Sequence, residues 1–252
     1  MENNEKHKTP KGVVNFWTEF VDWKKREMGY NNFFINKLKE YKCKKILDTC
    51  LGDGFDSINL IENGFQVFSN EIDNNFKNMA IKNAKERMIK LEVSSCDWRE
   101  LSKYYTDQFD GLICLGNSLT YLLKKEDQLK ALEEMFKIIK NGGILIIDQR
   151  NYDYILDKRE KILNGEFNYS KKYYYCSDKI SGYPIEINND YIIIGYGYNN
   201  KKIEQSLKLY PFRVEELRLL LKKVGFKKVE TYYDFKKEKP EHFDFVQHIA
   251  VK

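Results

Sequence analysis

Proline and histidine are both scarce, with 4 and 3 in 252 residues. His7, His242 and His248 never pair at helical ligand spacing, so neither a zinc site nor a Ser-His-Asp triad is expected, and no metal is assigned. The five cysteines, Cys43, Cys50, Cys96, Cys114 and Cys176, are odd in number and scattered, with no CxxC. That excludes a disulfide framework and makes a reducing cytoplasm the expected compartment. Long apolar runs are missing: Ile144–Ile147 and Ile192–Ile194 are strand-sized, far short of the roughly 20 residues of a membrane span. Met1–Lys11 is polar, so no apolar leader and no membrane partner are expected. Charge of one sign is lacking too: 43 Lys+Arg stand against 38 Asp+Glu, a net +5 too mild to imply nucleic acid. The lysine-rich runs Lys42–Lys45 and Lys236–Lys239 read as solvated strand flanks.

What the chain has is material for a core, 42% hydrophobic and 15% aromatic, which excludes a disordered polymer. Val14, Trp17, Phe20 and Val21, then Phe34, Ile35 and Leu38, recur near helical period, giving an N-terminal helical cap over 1–43. Strands are predicted at Lys44–Thr49, Phe65–Asn70, Leu91–Ser95, Phe109–Leu115 and Ile144–Asp148. Helices at Phe55–Glu62, from Asn74 to about Lys90, and Glu126–Lys140 alternate with them; Asn141-Gly142-Gly143 is read as stopping the last. Such alternation predicts a parallel sheet with right-handed crossovers. The pattern breaks over 151–209, where Tyr173–Cys176, Tyr183–Ile187, Tyr191–Tyr198 and Ile203–Leu209 read as antiparallel strands. A helix from Arg213 to about Val224 and strands Phe226–Tyr232 and Phe243–Val251 complete the chain. The expected fold is α/β: a Rossmann-like seven-stranded sheet, core 44–150 and 210–252, with 151–209 an antiparallel β insertion serving as a lid in one domain, 1–252. The oligomeric state is left open, a monomer being favoured.

Ile46–Ser57 (ILDTCLGDGFDS) is a strand, a loop carrying Gly52 and Gly54, and a helix start. Glu71 lies at the end of the next strand, where a carboxylate can accept from ribose hydroxyls. The glycines do not form GxGxxG, and no GxxxxGK[ST] loop exists, so dinucleotide and nucleoside-triphosphate sites are disfavoured. Asp97-Trp98 after the third strand suits an adenine edge and face, and suits equally a helix N-cap beside a buried ring. Leu115–Leu122 (LGNSLTYL) puts Asn117, Ser118 and Thr120 after the central strand, for substrate contact or for capping.

These stretches, with GGILIIDQRNYDYIL (Gly142–Leu156) and the tyrosine-rich C-terminal segments, resemble a class I S-adenosylmethionine-dependent methyltransferase. Within that class the chain resembles the glycine N-methyltransferases and the glycine/sarcosine N-methyltransferases of betaine synthesis. The resemblance implies S-adenosyl-L-methionine as cofactor and glycine or sarcosine as substrate. It implies that Asp48, Leu51, Gly52, Gly54, Leu115 and Tyr121 line the cofactor. Arg26 would bind its carboxylate, Glu71 its ribose, and Asp97 and Trp98 its adenine. Asn117 and Arg150 would hold the amino acid, with Tyr121, Tyr175, Tyr196 and Tyr210 facing methyl transfer. Tyr121 stands where relatives commonly carry His, which bears on how many methyl groups are added. A methyltransferase for another small carboxylate-bearing amine, or a non-catalytic cofactor binder, are the alternatives.

In-line displacement at an activated methyl needs alignment more than a metal or a covalent nucleophile. It also needs a neutral amine, and a sulfonium and Arg150 both disfavour an ammonium by like-charge repulsion. Arginine suits the clamp because its planar fork matches a carboxylate. Tyrosine faces attract sulfonium and methylammonium groups.

Overall fold

The computed structural model describes residues 11–106, 108–166, 175–198 and 205–252. Three helices open it: α1 (Lys11–Phe20), α2 (Trp23–Tyr30) and α3 (Phe33–Glu40). Asp22 starts α2 by accepting from the Lys25 N–H, satisfying one of the first-turn donors. Then follow β1 (Lys45–Asp48), α4 (Phe55–Glu62), β2 (Gln66–Asn70), α5 (Asn74–Glu86), β3 (Val93–Ser94), α6 (Leu101–Tyr104), β4 (Phe109–Cys114), α7 (Lys125–Ile138) and β5 (Ile139–Arg150). Two short helices, α8 (Tyr152–Asp157) and α9 (Arg159–Leu163), precede β6 (Ile180–Ile187), β7 (Ile192–Tyr198) and β8 (Gln205–Leu209). The chain closes with α10 (Val214–Val224), β9 (Lys228–Tyr233) and β10 (Phe245–Val251).

Seven strands form one sheet in the order β3-β2-β1-β4-β5-β10-β9, and β6-β7-β8 form a separate antiparallel sheet. The expected α/β fold is therefore present, and within it β10 runs antiparallel to both β5 and β9. No helix lies in residues 234–244 between β9 and β10, and without a crossover neighbouring strands must run opposite ways. A correction concerns Asn141-Gly142-Gly143. Helix α7 ends at Ile138, where Ile139 turns extended, and the glycines lie inside β5. A Cβ on Gly143 would sit 2.6 Å from the Asp110 carbonyl oxygen, so the glycine admits β4 closely beside a register shift.

The expected second-sheet strands lie at β6, β7 and β8, but α8 and α9 were not anticipated. Cys176 makes only an isolated bridge to Val21. Tyr169, Tyr173, Tyr174 and Ile203 lie outside the described residues, as does His7. Both faces of the large sheet are covered. Leu112 and Leu145 pack with Leu132, Met135 and Leu217 on one side, and Ile46 and Ile113 with Phe34, Leu38 and Leu60 on the other. A third core joins α1 to the second sheet through Phe20, Tyr152, Ile194 and Leu209. Burying each such side chain contributes roughly 1.5–3 kcal/mol. Among the described residues no helix is long and apolar enough to cross a membrane, and no cluster of three or more His, Cys, Asp or Glu could hold a metal.

Candidate active site

At the carboxyl end of β1, Asp48 is fully buried; it accepts from Ser57 Oγ at 2.7 Å and from the Cys50 N–H at 3.1 Å. Burial pushes its carboxyl up to about 7, with Asp56 adding to the rise. Asp48 thus lies beneath the loop and shapes it. Gly52 and Gly54 take left-handed φ of +55° and +93°, which favours glycine. A Cβ on Gly54 would meet Ala80 Cβ on α5 at 3.0 Å. The Leu51 N–H donates to the Asn70 carbonyl at 3.0 Å.

Glu71 accepts from the Gly52 N–H and from the Asp73 N–H, each at 2.9 Å. The Ile72 N–H also faces the carboxylate, and three donors leave one of its four acceptor positions for a ribose hydroxyl. Burial raises its pKa. Arg26, on α2, pairs with Asp56 at 2.6 Å and donates to Tyr30 Oη at 2.8 Å. Its guanidinium lies 5.0 Å from the Phe55 ring centroid, and a Cβ on Gly116 would sit 3.9 Å from Nη2. A glycine cradle, a ribose-height carboxylate and a buried arginine at one sheet edge fit S-adenosylmethionine.

After β3, Asp97 caps a short turn, accepting from the Arg99 N–H at 2.8 Å and from Arg99 Nη2 at 2.6 Å. Trp98 donates its indole N–H to the Thr49 carbonyl at 2.6 Å and packs on the first core. The capping geometry is the one seen, so any adenine contact shares the Asp97 carboxylate with Arg99. Leu115 is buried, and its carbonyl accepts from Ser118 Oγ at 2.7 Å.

Between the two sheets lies a cleft whose lining includes Arg26, Asn117, Tyr121, Asp148, Arg150 and Tyr175. Asn117 takes φ +63° and is tied on every side. Its N–H donates to Asp148 Oδ1 at 2.8 Å and its amide to Tyr152 Oη at 2.8 Å, while its side-chain oxygen accepts the Arg150 N–H at 3.1 Å. Arg150 is 4% exposed and donates from Nη2 to Tyr175 Oη at 2.9 Å, with Phe245 6.0 Å from its guanidinium carbon. Tyr196 lines the cleft, its ring edge-on to Phe20 at 5.2 Å. Burial pushes its hydroxyl up to about 12, so it stays protonated. Tyr121, at 45%, is the most exposed of the four assigned tyrosines that the structure places.

Tyr210 is a correction. It does not reach the cleft: its hydroxyl donates to Glu216 at 2.6 Å and its N–H to the Thr120 carbonyl at 2.7 Å. It holds the loop that carries Tyr121. The sequence reading also passed over Asp148, Tyr30, Asp56 and Phe245. Strand alternation held the signal for Asp148, which stands two residues before Arg150 and shares its face.

The seven-stranded sheet with this loop-built edge defines a class I methyltransferase that uses S-adenosylmethionine. The family described as "Methyltransferase domain" matches residues 46–143. A solved S-adenosylmethionine-dependent methyltransferase of Clostridium acetobutylicum superposes with a TM-score of 0.68 at 16% identity, covering 92% of each chain. Glycine/sarcosine N-methyltransferase of Aphanothece halophytica is 37% identical over 242 residues, 96% of this chain and 88% of that protein. The enzyme of the same name from Halorhodospira halochloris is 36% identical, over 96% of this chain and 87% of its own length. The chain belongs to the glycine/sarcosine N-methyltransferase family.

Proposed function

We propose that this enzyme transfers methyl groups to the amino nitrogen of glycine and of sarcosine. The observation that carries this reading is Arg150: a guanidinium 4% exposed, inside the cleft, hydrogen-bonded to Tyr175 from the insertion. Its planar fork suits the carboxylate of a small amino acid. When bound, S-adenosylmethionine supplies an activated methyl group. Gly52, Gly54 and Glu71 hold it at the edge of the large sheet, with Arg26 toward its carboxylate and Asp97 and Trp98 toward its adenine. Asn117 orients Arg150 through the strand backbone. Tyr175, Tyr196 and Leu209 wall the amine from water, with Tyr121 facing the space where the methylated nitrogen grows.

Successive methylation of glycine leads toward betaine, and unpaired thiols such as Cys43 and Cys114 suit a reducing cytoplasm. Formation of S-adenosylhomocysteine with a panel of amines tests the substrate. Turnover is expected with glycine and sarcosine and not with methylamine, which lacks the carboxylate. Equal turnover of methylamine would overturn the reading.

A further inference from the structure

The cleft contains a second charge that methyl transfer as described does not use. Asp148 and Arg150 stand two residues apart on β5, so their side chains leave the same face, and both line the cleft. A free amino acid is a zwitterion at neutral pH. A guanidinium and a carboxylate on adjacent same-face positions therefore match both of its ends. Asp148 is 2% exposed. One of its oxygens accepts the Asn117 N–H at 2.8 Å, and the neighbouring Gly116 N–H also faces the carboxylate. These donors fix its direction without filling the four acceptor positions of a carboxylate.

From this geometry we propose that Asp148 receives the ammonium end of the amino acid and takes one of its protons, delivering the neutral amine that methyl transfer requires. The reading rests on the amino-acid substrate proposed above. The step balances. One N–H bond of the ammonium breaks, one O–H bond forms on Asp148, and the nitrogen lone pair is freed. The proton returns to water when the methylated product leaves.

The surroundings support the transfer. Burial pushes the Asp148 carboxyl up to about 7, with Arg26 opposing and Asp56 adding to the rise. The charged and titratable groups facing it are Arg26 and Tyr30 from α2, Asp56 from α4, Tyr152 from α8 and Arg150 from its own strand. Cross-strand from it, Gln247 on β10 is fully buried, and its side-chain N–H2 has no hydrogen-bond partner. Bound amine and carboxylate thus meet in a space with little solvent, where proton affinity is set by the protein.

The experiment is the pH dependence of kcat/KM for glycine, with a binding measurement beside it. If Asp148 accepts the proton, kcat/KM rises to a plateau near pH 7 as the free carboxyl ionises, and falls again as free glycine loses its ammonium proton. Without such an acceptor, kcat/KM climbs with unit slope to the amine's own pKa, and that profile overturns the proposal. Asp148→Asn keeps an oxygen for the Asn117 N–H while removing the base. It is expected to lower kcat/KM at about pH 7 by roughly 100-fold and to convert the profile to the unit-slope form. An Asp148→Asn enzyme that kept the wild-type profile would show a loop cap and nothing more. Calorimetry of glycine binding to the wild-type complex with S-adenosylhomocysteine, in buffers of different ionisation enthalpy, gives a readout independent of turnover and of the variant's folding. Near-zero proton release at about pH 8 is expected, and release of about one proton per glycine overturns the assignment. If glycine neither binds nor turns over, the substrate reading itself has failed. Turnover with the unit-slope profile overturns Asp148 alone.

Discussion

The large sheet and the small sheet hold their sides of the cleft by different means. At the edge of the large sheet, Asp48, Glu71 and Asp148 accept from backbone N–H groups of the loops, and Asn117 from the Arg150 N–H at the end of β5. On the small sheet's side the contacts are rings: Phe20 against Tyr196 and Tyr175, and Tyr175 against Phe245. Hydrogen bonds are directional, whereas apolar burial is not. The large sheet's side is therefore fixed in geometry, and the small sheet's side can vary in shape without losing its place. A polar tie, Arg150 to Tyr175, reaches from one to the other.

Breaking that tie should have the largest effect. Arg150→Ala is expected to cost several kcal/mol of transition-state stabilisation, as for one partner of a buried charge pair. Arg150→Lys should do nearly as much damage, because a point charge cannot replace the fork. Cofactor affinity should hardly move in either variant. Steady-state kinetics with glycine and sarcosine checks this, and near-normal kcat/KM in the lysine variant would defeat the clamp. Next in size is Glu71→Ala, which removes directional bonds on the other side. A loss of roughly 10- to 100-fold in cofactor affinity is expected, as for a charge-assisted hydrogen bond, with little change in Tm. Calorimetric titration measures it, and unchanged affinity removes Glu71 from the site.

Smaller effects should follow from reshaping the aromatic wall. A Cβ on Gly182 would lie 2.7 Å from Tyr196 Cε1, so Gly182→Ala must displace that ring. We expect a cost of about 1–3 kcal/mol in stability and a raised KM for the amine, with cofactor affinity unchanged. Cofactor affinity falling in step with amine affinity would show that the two sides are one unit. The smallest change is at Tyr121, whose side chain is 45% exposed. Tyr121→His should alter the ratio of singly to doubly methylated glycine at comparable rates, read by mass spectrometry. A constant ratio would leave Tyr121 as packing.

The same contrast explains what could be read from the chain. Strands such as β1 and β4 are short apolar runs, and Gly225 stops α10 at φ +120°, a signal contained in one residue. The reversal of β10 follows from the short link before it, which leaves no room for a crossover helix. Helix α8 has six residues, too few for periodicity to show. Arg150 could be assigned because it sits in a distinctive motif. Tyr210 was misplaced because its direction depends on Glu216 and on the Thr120 carbonyl, neither visible in its own segment. Asp97 was left between two roles, and Arg99, two residues on, supplies its partner.

The ties around Asn117 have a consequence for how so small a substrate can be handled at all. A ligand with only a handful of non-hydrogen atoms brings at best about 1.5 kcal/mol of binding per atom, too little to fold a disordered loop around itself and still be held in line. Here the Asn117 loop, the Arg150 backbone and Tyr152 are already locked to one another. The ordering entropy of the receiving surface is spent once, when the chain folds, and is not charged again to each glycine that arrives.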